Sequence, residues 1–408
     1  MSEATLPVVV LGGSGYVAGE LLRLLAGHPV FRVAAVVSES KQDLSVTDNF
    51  FHLRGTTVED LVFVDGQAVV GVFESHPSVG VLSALPHGEA APRIDALLSS
   101  AASAGCSVRV VDLSADFRHP DPARYRAIYG QPHGAPARLA EFVCALPELA
   151  PALPQGARHV SHPGCFTTAA TLALAPLLAG GWIEPRATVV AVTGSTGAGR
   201  TPTATTHHPE RRSDLFAYAV GGHRHEPEMR ALLAAACAAA GGAGAGAVPE
   251  PEIVFVPHSG PFARGIHATI SARLAKAASE EELRAVMTSF YDPSRLVDAC
   301  PSTTSAEASS VGAHSPFTES LSSLSLSWSE TERPSSFVRV GTAPPRLVSV
   351  VGTNRCELAL AVRGDELIVF SALDNLVKGA AGGALQWLNR LSGLPEDAGL
   401  RLPGLGWL

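Results

Sequence analysis

A short apolar β-branched run, Val8–Leu11, breaks directly into Gly12-Gly13-Ser14-Gly15 and then into Ala18–Leu25, whose leucines recur at helical spacing. A strand that turns on glycine into a helix is the opening unit of a parallel, doubly wound sheet. Gly12-x-x-Gly15-x-x-Ala18-Gly19 adds chemistry: glycine lets backbone N–H groups approach a pyrophosphate, and the helix N-terminus favours its charge. A purely structural βα turn is the competing reading. Strands are predicted at Arg32–Val37, Val79–Ala84 and Ser107–Leu113, with a helix over Ala90–Ala104. That alternation predicts an α/β fold with a parallel, doubly wound sheet.

A chain of 408 residues exceeds what one core usually organises, so a second domain is expected. Past residue 165 the pattern predicts a helix over Thr167–Leu178, a strand at Thr188–Val192 and an Ala/Gly loop at Ala234–Ala247. Strands at Ile253–Val256 and His267–Leu274 and a helix over Glu280–Tyr291 follow, which is α+β in character. Residues Pro301–Ser336 are Ser-rich and poor in large apolar side chains, and are read as an inserted, mobile surface loop. Glu366–Leu391 predicts a strand and then a helix that packs back on the first domain.

A net charge of −8 argues against a nucleic-acid partner. Met1–Pro7 lacks a basic leader and Val8–Leu11 is too short to span a bilayer, so a cytoplasmic, membrane-free protein is expected. The six cysteines, Cys106, Cys144, Cys165, Cys237, Cys300 and Cys356, have neither paired nor metal-like spacing, which suits free thiols.

Cys165 is the informative one. It follows His162-Pro163-Gly164 and opens a predicted helix, where unpaired N–H groups and the dipole favour a thiolate. A small core cysteine, as Cys144 or Cys237 is read to be, would not need Pro-Gly before it. His223-Arg224-His225-Glu226-Pro227-Glu228, on an extended or turning segment, offers two imidazoles for proton transfer. Zinc on the His-x-His pattern lacks a supporting Cys or acid, so no metal is expected. Gly194–Arg200 is a glycine-rich loop after a strand, whose amides and Arg200 can cradle a phosphate or the nicotinamide end of a cofactor; Gly197 and Gly199 are its candidates. Asp112–Arg118 closes a strand at the edge where such folds bind ligands, nominating Ser114 and Arg118, with Arg224, for an anionic substrate. Ser38, Ser40 and Lys41 end the second strand and suit a ribose 2′-phosphate, so NADP is preferred, although Glu39 favours free hydroxyls.

On these motifs the sequence resembles the N-acetyl-γ-glutamyl-phosphate reductases, a branch of the aspartate-semialdehyde dehydrogenase-like group. The resemblance runs in order through Gly12–Glu20, Ala84–Gly88, Asp112–Arg118, Pro163–Cys165, Gly197–Arg200, Tyr218, His223–Glu228, Gly352–Asn354 and Asp374–Gly379. It implies a Rossmann-type domain over 1–164, completed by 370–408, and a catalytic and oligomerisation domain over 165–369. It further implies an NADP-dependent reduction of a small acyl phosphate by a homo-oligomer, a dimer or tetramer, through a thioester on Cys165. His223 is assigned proton transfer and His225 positioning, roles that can be exchanged. Gly12, Gly13, Ser14, Gly15, Tyr16, Val17, Ser38 and Asn375 match cofactor contacts, and Pro86 lies near the nucleotide.

Three departures touch the acyl group. His162 replaces the family's Asn, Phe166 replaces its Tyr, and His207–Arg211, with His208 as a candidate substrate contact, resembles the branch that acts on carrier-bound aminoadipyl or glutamyl phosphates. Under that alternative Arg211 and Arg212 would receive an acidic carrier protein. A non-catalytic dinucleotide sensor is the alternative from another class.

Overall fold

The computed structural model describes residues 5–150, 153, 157–241, 249–292 and 337–406. The Ser-rich stretch 301–336 and Cys300 lie outside the described residues.

The first sheet contains β1 (Leu6–Leu11), β2 (Phe31–Val37), β3 (Phe63–Val64), β4 (Ser78–Ser83), β5 (Ser107–Asp112), β6 (Phe142–Cys144) and β7 (His159–Ser161). Their spatial order is β3-β2-β1-β4-β5-β7-β6, and every pairing is parallel. The order reverses between β1 and β4, so the crevice beyond their carboxyl ends is the place such a sheet binds ligands. Both faces are covered, which is why these strands read as continuous apolar runs rather than alternations. One face is roofed by helix Tyr16–Ala26 and the C-terminal helix Gly382–Leu391, whose Leu385, Trp387 and Leu388 are fully buried.

The second sheet is mixed, in the order β12-β13-β14-β11-β8-β10-β9. Its strands are β8 (Ile183–Thr193), β9 (Phe216–Ala217), β10 (Glu252–Ser259), β11 (Ile266–Leu274), β12 (Val338–Val340), β13 (Cys356–Arg363) and β14 (Glu366–Leu373). Helices Cys165–Ala179, His225–Ala240 and Glu280–Phe290 pack on one face. The opposite face leaves Val190 and Val254 each 38% exposed and Phe370 half-buried. Helix Cys165–Ala179 is apolar all round, and residues 166–177 are buried without a break. A helix with no polar face belongs inside, and this one is wedged between the second sheet and the returning C-terminal segment.

The elements bear on three expectations, of which the first needs correction. The presumed loop Ala234–Ala247 is helical through Ala240, because alanine is the best helix former even in a low-complexity run; residues 242–248 lie outside the described set. Strand β14 runs past residue 370: Phe370 pairs with β11 and β13 in the second sheet, and the strand ends at Leu373. The segment holding the two histidines, read as extended or turning, turns through Gly221–Arg224, and His225 opens a helix. Among the described residues no helix is long and apolar enough to cross a membrane.

Candidate functional site

Two neighbouring constructions occupy the carboxyl edge of the first sheet. The first is a groove of about 650 Å³ at the switch point, lined by the glycine turn, Ser38–Lys41 and Ala84–Pro86. Gly12 holds φ at +71°, and a methyl group there would sit 2.6 Å from Ala84 O, so this position is closed to side chains. Gly13 donates to Val37 O at 2.8 Å and packs flush on β2. Gly15 faces open space, as a residue whose amide greets a phosphate should. Ser38 Oγ donates to Ser14 Oγ at 3.2 Å. The Glu39 carboxylate is drawn 3.2 Å from Arg93, which blunts its claim on a ribose hydroxyl and leaves a rim with Lys41, Arg93 and Arg200. Arg200, from the second domain, donates to Ser14 O at 3.1 Å and Asn49 O at 3.2 Å, closing the groove from above.

The second construction surrounds Cys165, the half-buried first residue of its helix. One buried carboxylate organises it. Glu228 accepts from Arg118 Nη1 at 2.9 Å, from the Gly164 N–H at 3.0 Å and from Thr167 Oγ1 at 3.0 Å. Arg118 in turn donates to His162 O at 3.1 Å and Leu113 O at 2.8 Å. Carboxylate and guanidinium therefore clamp both sides of the Pro163-Gly164-Cys165 turn. Burial pushes the Glu228 carboxyl up, but Arg118 and His225 outweigh it and hold it well below the usual carboxylate range. His225 precedes Glu228 by three residues, so both side chains share one helix face. Its buried ring lies against Gly164, and its Nδ1 has no hydrogen-bond partner among the described residues.

Burial also decides the other protonation states. It pushes the Cys165 thiol up to about 11, outweighing the pull of Arg118 and of the helix-start N–H groups. Desolvation thus works against the thiolate expected at a helix N-terminus and exceeds the dipole's contribution. Burial, with Arg224 nearby, lowers His223 to about 4; burial also pushes His225 well below its ordinary value. His223 Nδ1 accepts the His225 N–H at 3.1 Å, so neutral His223 carries its proton on Nε2. The two rings stand 4.6 Å apart, with Phe166, Tyr218 and Phe255 packed around them.

Comparison with known proteins gives the family of the chain. A model of the semialdehyde dehydrogenase NAD-binding domain matches residues 7–153, and one of the semialdehyde dehydrogenase dimerisation domain matches 165–318. The N-acetyl-γ-glutamyl-phosphate reductase of Dehalococcoides mccartyi BAV1 is 35% identical over 393 residues, covering 96% of each chain. That of Alkalilimnicola ehrlichii is 36% identical over 405 residues, covering 98% of each. The chain belongs to the N-acetyl-γ-glutamyl-phosphate reductase family. The fold is shared more widely: the crystal structure of aspartate semialdehyde dehydrogenase with NADP from Candida albicans superposes with a TM-score of 0.60 at 17% identity, over 97% of this chain and all of that one.

Within this reductase family frame, the candidate residues separate by where the fold puts them. Ser14, Gly15, Ser38, Ser40 and Pro86 are brought together on the groove with Gly12; Gly13 packs behind it, Tyr16 opens the helix partly exposed and Val17 is half-buried. Arg200, offered for a phosphate or the nicotinamide end of a cofactor, lies on the groove's lining because the loop 194–200 arches over Ser14. Asn375 does not line the groove: its amide is committed to Gly265 N–H at 2.7 Å and Thr196 Oγ1 at 3.1 Å, beside Gly197, while Gly199 turns the same loop at φ +88°.

Arg118 and Ser114, nominated for anion binding, are turned inward, one to Glu228 and the other 2.5 Å from Asp112 Oδ2. A residue-type argument could not see that their partners are buried. His208 and Arg224 are exposed. Of the two arginines offered as carrier contacts, Arg211 is buried and donates to Asp214 O, and Arg212 is exposed. The names of the relatives do not favour the carrier-bound or sensor alternatives. Glu228 was missed as a site residue; its signal was an acid three residues after His225, the spacing of one helix face.

Proposed function

We propose that this protein reduces N-acetyl-γ-glutamyl phosphate to N-acetyl-glutamate semialdehyde with NADPH, releasing phosphate, through a thioester on Cys165. The observation that carries the reading is a thiol at a helix start whose flanking turn is clamped by Glu228 and Arg118 beside two neutral imidazoles. The 34–36% identity to curated reductases along nearly the whole chain supports the substrate. NADPH fits the groove, because Gly12 and Gly15 leave room for the pyrophosphate and Ser38, Ser40 and Lys41 meet a 2′-phosphate while Arg93 occupies Glu39. When bound, the nucleotide supplies the hydride that takes the acyl group to the aldehyde level.

The roles of the two histidines follow from their hydrogen bonds. His223 has its Nδ1 engaged by the His225 N–H, so in its neutral form it only donates, and from Nε2 it serves the substrate carbonyl oxygen. His225 is assigned the base because its Nδ1 has no hydrogen-bond partner among the described residues, whereas that of His223 is engaged; the Glu228 carboxylate offsets part of the burial that disfavours protonated His225. His225 takes the thiol proton as sulfur attacks the acyl carbon; the C–S bond forms, the C–O bond to phosphate breaks and phosphate leaves. After reduction, collapse of the thiohemiacetal regenerates the Cys165 thiolate, which recovers the proton. This reading exchanges the roles assigned from sequence.

The exposed face of the second sheet, with Val190, Val254 and Phe370, is proposed as the surface through which two copies pair, consistent with the dimerisation domain that the family model names. The test of the chemistry is phosphate-dependent reduction of NADP in the reverse direction with N-acetyl-glutamate semialdehyde. Cys165→Ser abolishes turnover and retains NADPH binding; a variant with normal turnover rules the thioester out.

A further inference from the structure

Cys165 has a backbone wall behind it. Val377–Ala381 forms a single π turn between β14 and helix Gly382–Leu391, with Gly379 N–H donating to Asp374 O at 3.0 Å. π turns are rare and concentrate at functional sites. This one is pinned from two sides. Asp374 accepts from the Leu376 and Val377 N–H groups at 2.8 and 3.1 Å, and forms an ion pair with Arg264 at 2.9 Å. Lys378, wholly buried, donates to Glu148 Oε1 and, at 2.9 Å, to Gln386 Oε1. Gln386 closes the triangle by donating to Glu148 at 3.0 Å. The pinned turn delivers Gly379 to the nucleophile: a methyl on Gly379 would lie 2.6 Å from Cys165 Cβ and 3.1 Å from its Cα. Four residues on, Gly383 meets the ring of His162 in the same way.

A buried lysine–glutamate pair is a poor means of making a fold stable, since well-packed apolar replacements are often neutral or better. Its distinctive capacity is to fix one geometry in place of several near ones. Here that geometry is a wall that the Cys165 backbone cannot back through, which sets the direction in which the sulfur projects. Glu228 and Arg118 hold the turn before Cys165 from the other side, so the nucleophile is gripped between a clamp and a stop.

We propose that the π turn Val377–Ala381, pinned by the buried Lys378–Glu148 pair, is a backstop that positions Cys165, and that Lys378 is a positioning residue for the reaction. This rests on the reading of Cys165 as nucleophile.

The test is the full-length double variant Lys378→Met/Glu148→Met, which removes both charges so that neither is left buried alone. Thermal midpoint, NADPH affinity, kcat, KM and the pH dependence of Cys165 alkylation by iodoacetamide are measured. The backstop predicts a folded protein with unchanged NADPH affinity and KM within about threefold, but kcat and Cys165 alkylation reduced about 100-fold, the scale of an ångström misplacement. A folded variant with both rates within about threefold of wild type overturns it. Should the double variant not fold, Gly379→Ala decides on the same readouts, because its methyl enters the space of Cys165 while Lys378 and Glu148 stay intact: slowed alkylation supports the backstop, an unaltered rate overturns it. Alkylation needs no substrate, so a wild-type protein inactive on N-acetyl-γ-glutamyl phosphate counts against the substrate assignment, while the variants' alkylation rates still decide the backstop.

Discussion

The nucleotide groove and the thiol centre stand side by side but are made in opposite ways. The groove is open and built largely from backbone contributed by contiguous turns, Gly12–Gly15, Ser38–Lys41 and Ala84–Pro86. The thiol centre is buried and assembled from side chains far apart in sequence, Arg118, Thr167, His225, Glu228 and Lys378, each holding another's charge or carbonyl. Backbone recognition tolerates exposure because amides keep their partners locally; charge-based positioning requires exclusion of water, which only long-range packing provides.

The contrast can be broken most forcefully at Glu228. Glu228→Ala leaves Arg118 buried and unpaired, a loss of about 3–5 kcal/mol, read as a fall in the denaturant midpoint together with reductase activity. Gly12→Val attacks the other half: with φ at +71° and Ala84 O in the way, NADPH affinity falls by about 2–3 kcal/mol while Cys165 alkylation keeps its rate. Loss of both functions in that variant would erase the distinction between the two halves.

Acid sharpens the comparison. Burial depresses His28 and His223 to about 4 and His162 to about 3, so between pH 6.5 and 4 the unfolded chain binds protons that the native state refuses. Stability therefore falls as pH drops through that window, by an amount that urea titrations at several pH values measure. In the opposite direction the Cys165 alkylation rate rises steadily from pH 6 to 9, since its thiol ionises only near 11; a plateau at neutral pH would mean a preformed thiolate. The smallest effect belongs to the rim: Lys41→Ala weakens NADPH by about fivefold, ~1 kcal/mol, and leaves NADH unchanged.

The same division explains what was legible beforehand. Gly12, Gly15 and the strands around them declare themselves because the physics is local: a turn that needs positive φ, a run that must be buried on both faces. Cys165 was legible through Pro163-Gly164 and the helix after it. Its ionisation was not, since desolvation depends on the second-domain core and Gly379 packing against it. Arg118 and Ser114 have the right chemistry for an anion and the wrong neighbours, Glu228 and Asp112, facts that live in packing alone. Strand β13 went unread because its alternation is blurred by Leu358, Ala359 and Leu360, all buried in a row. Lys378 reads as a surface cation in any sequence window; only the fold puts it opposite Glu148.

The roof over the first sheet arrives last. Val8, Val10 and Leu82 are covered by Leu385, Trp387 and Leu388, so during synthesis the opening half of the molecule emerges with one flank bare and must wait for the final helix. A protein cut after Gly164 should be sticky and short-lived, and the two halves should rescue each other when made together in one cell.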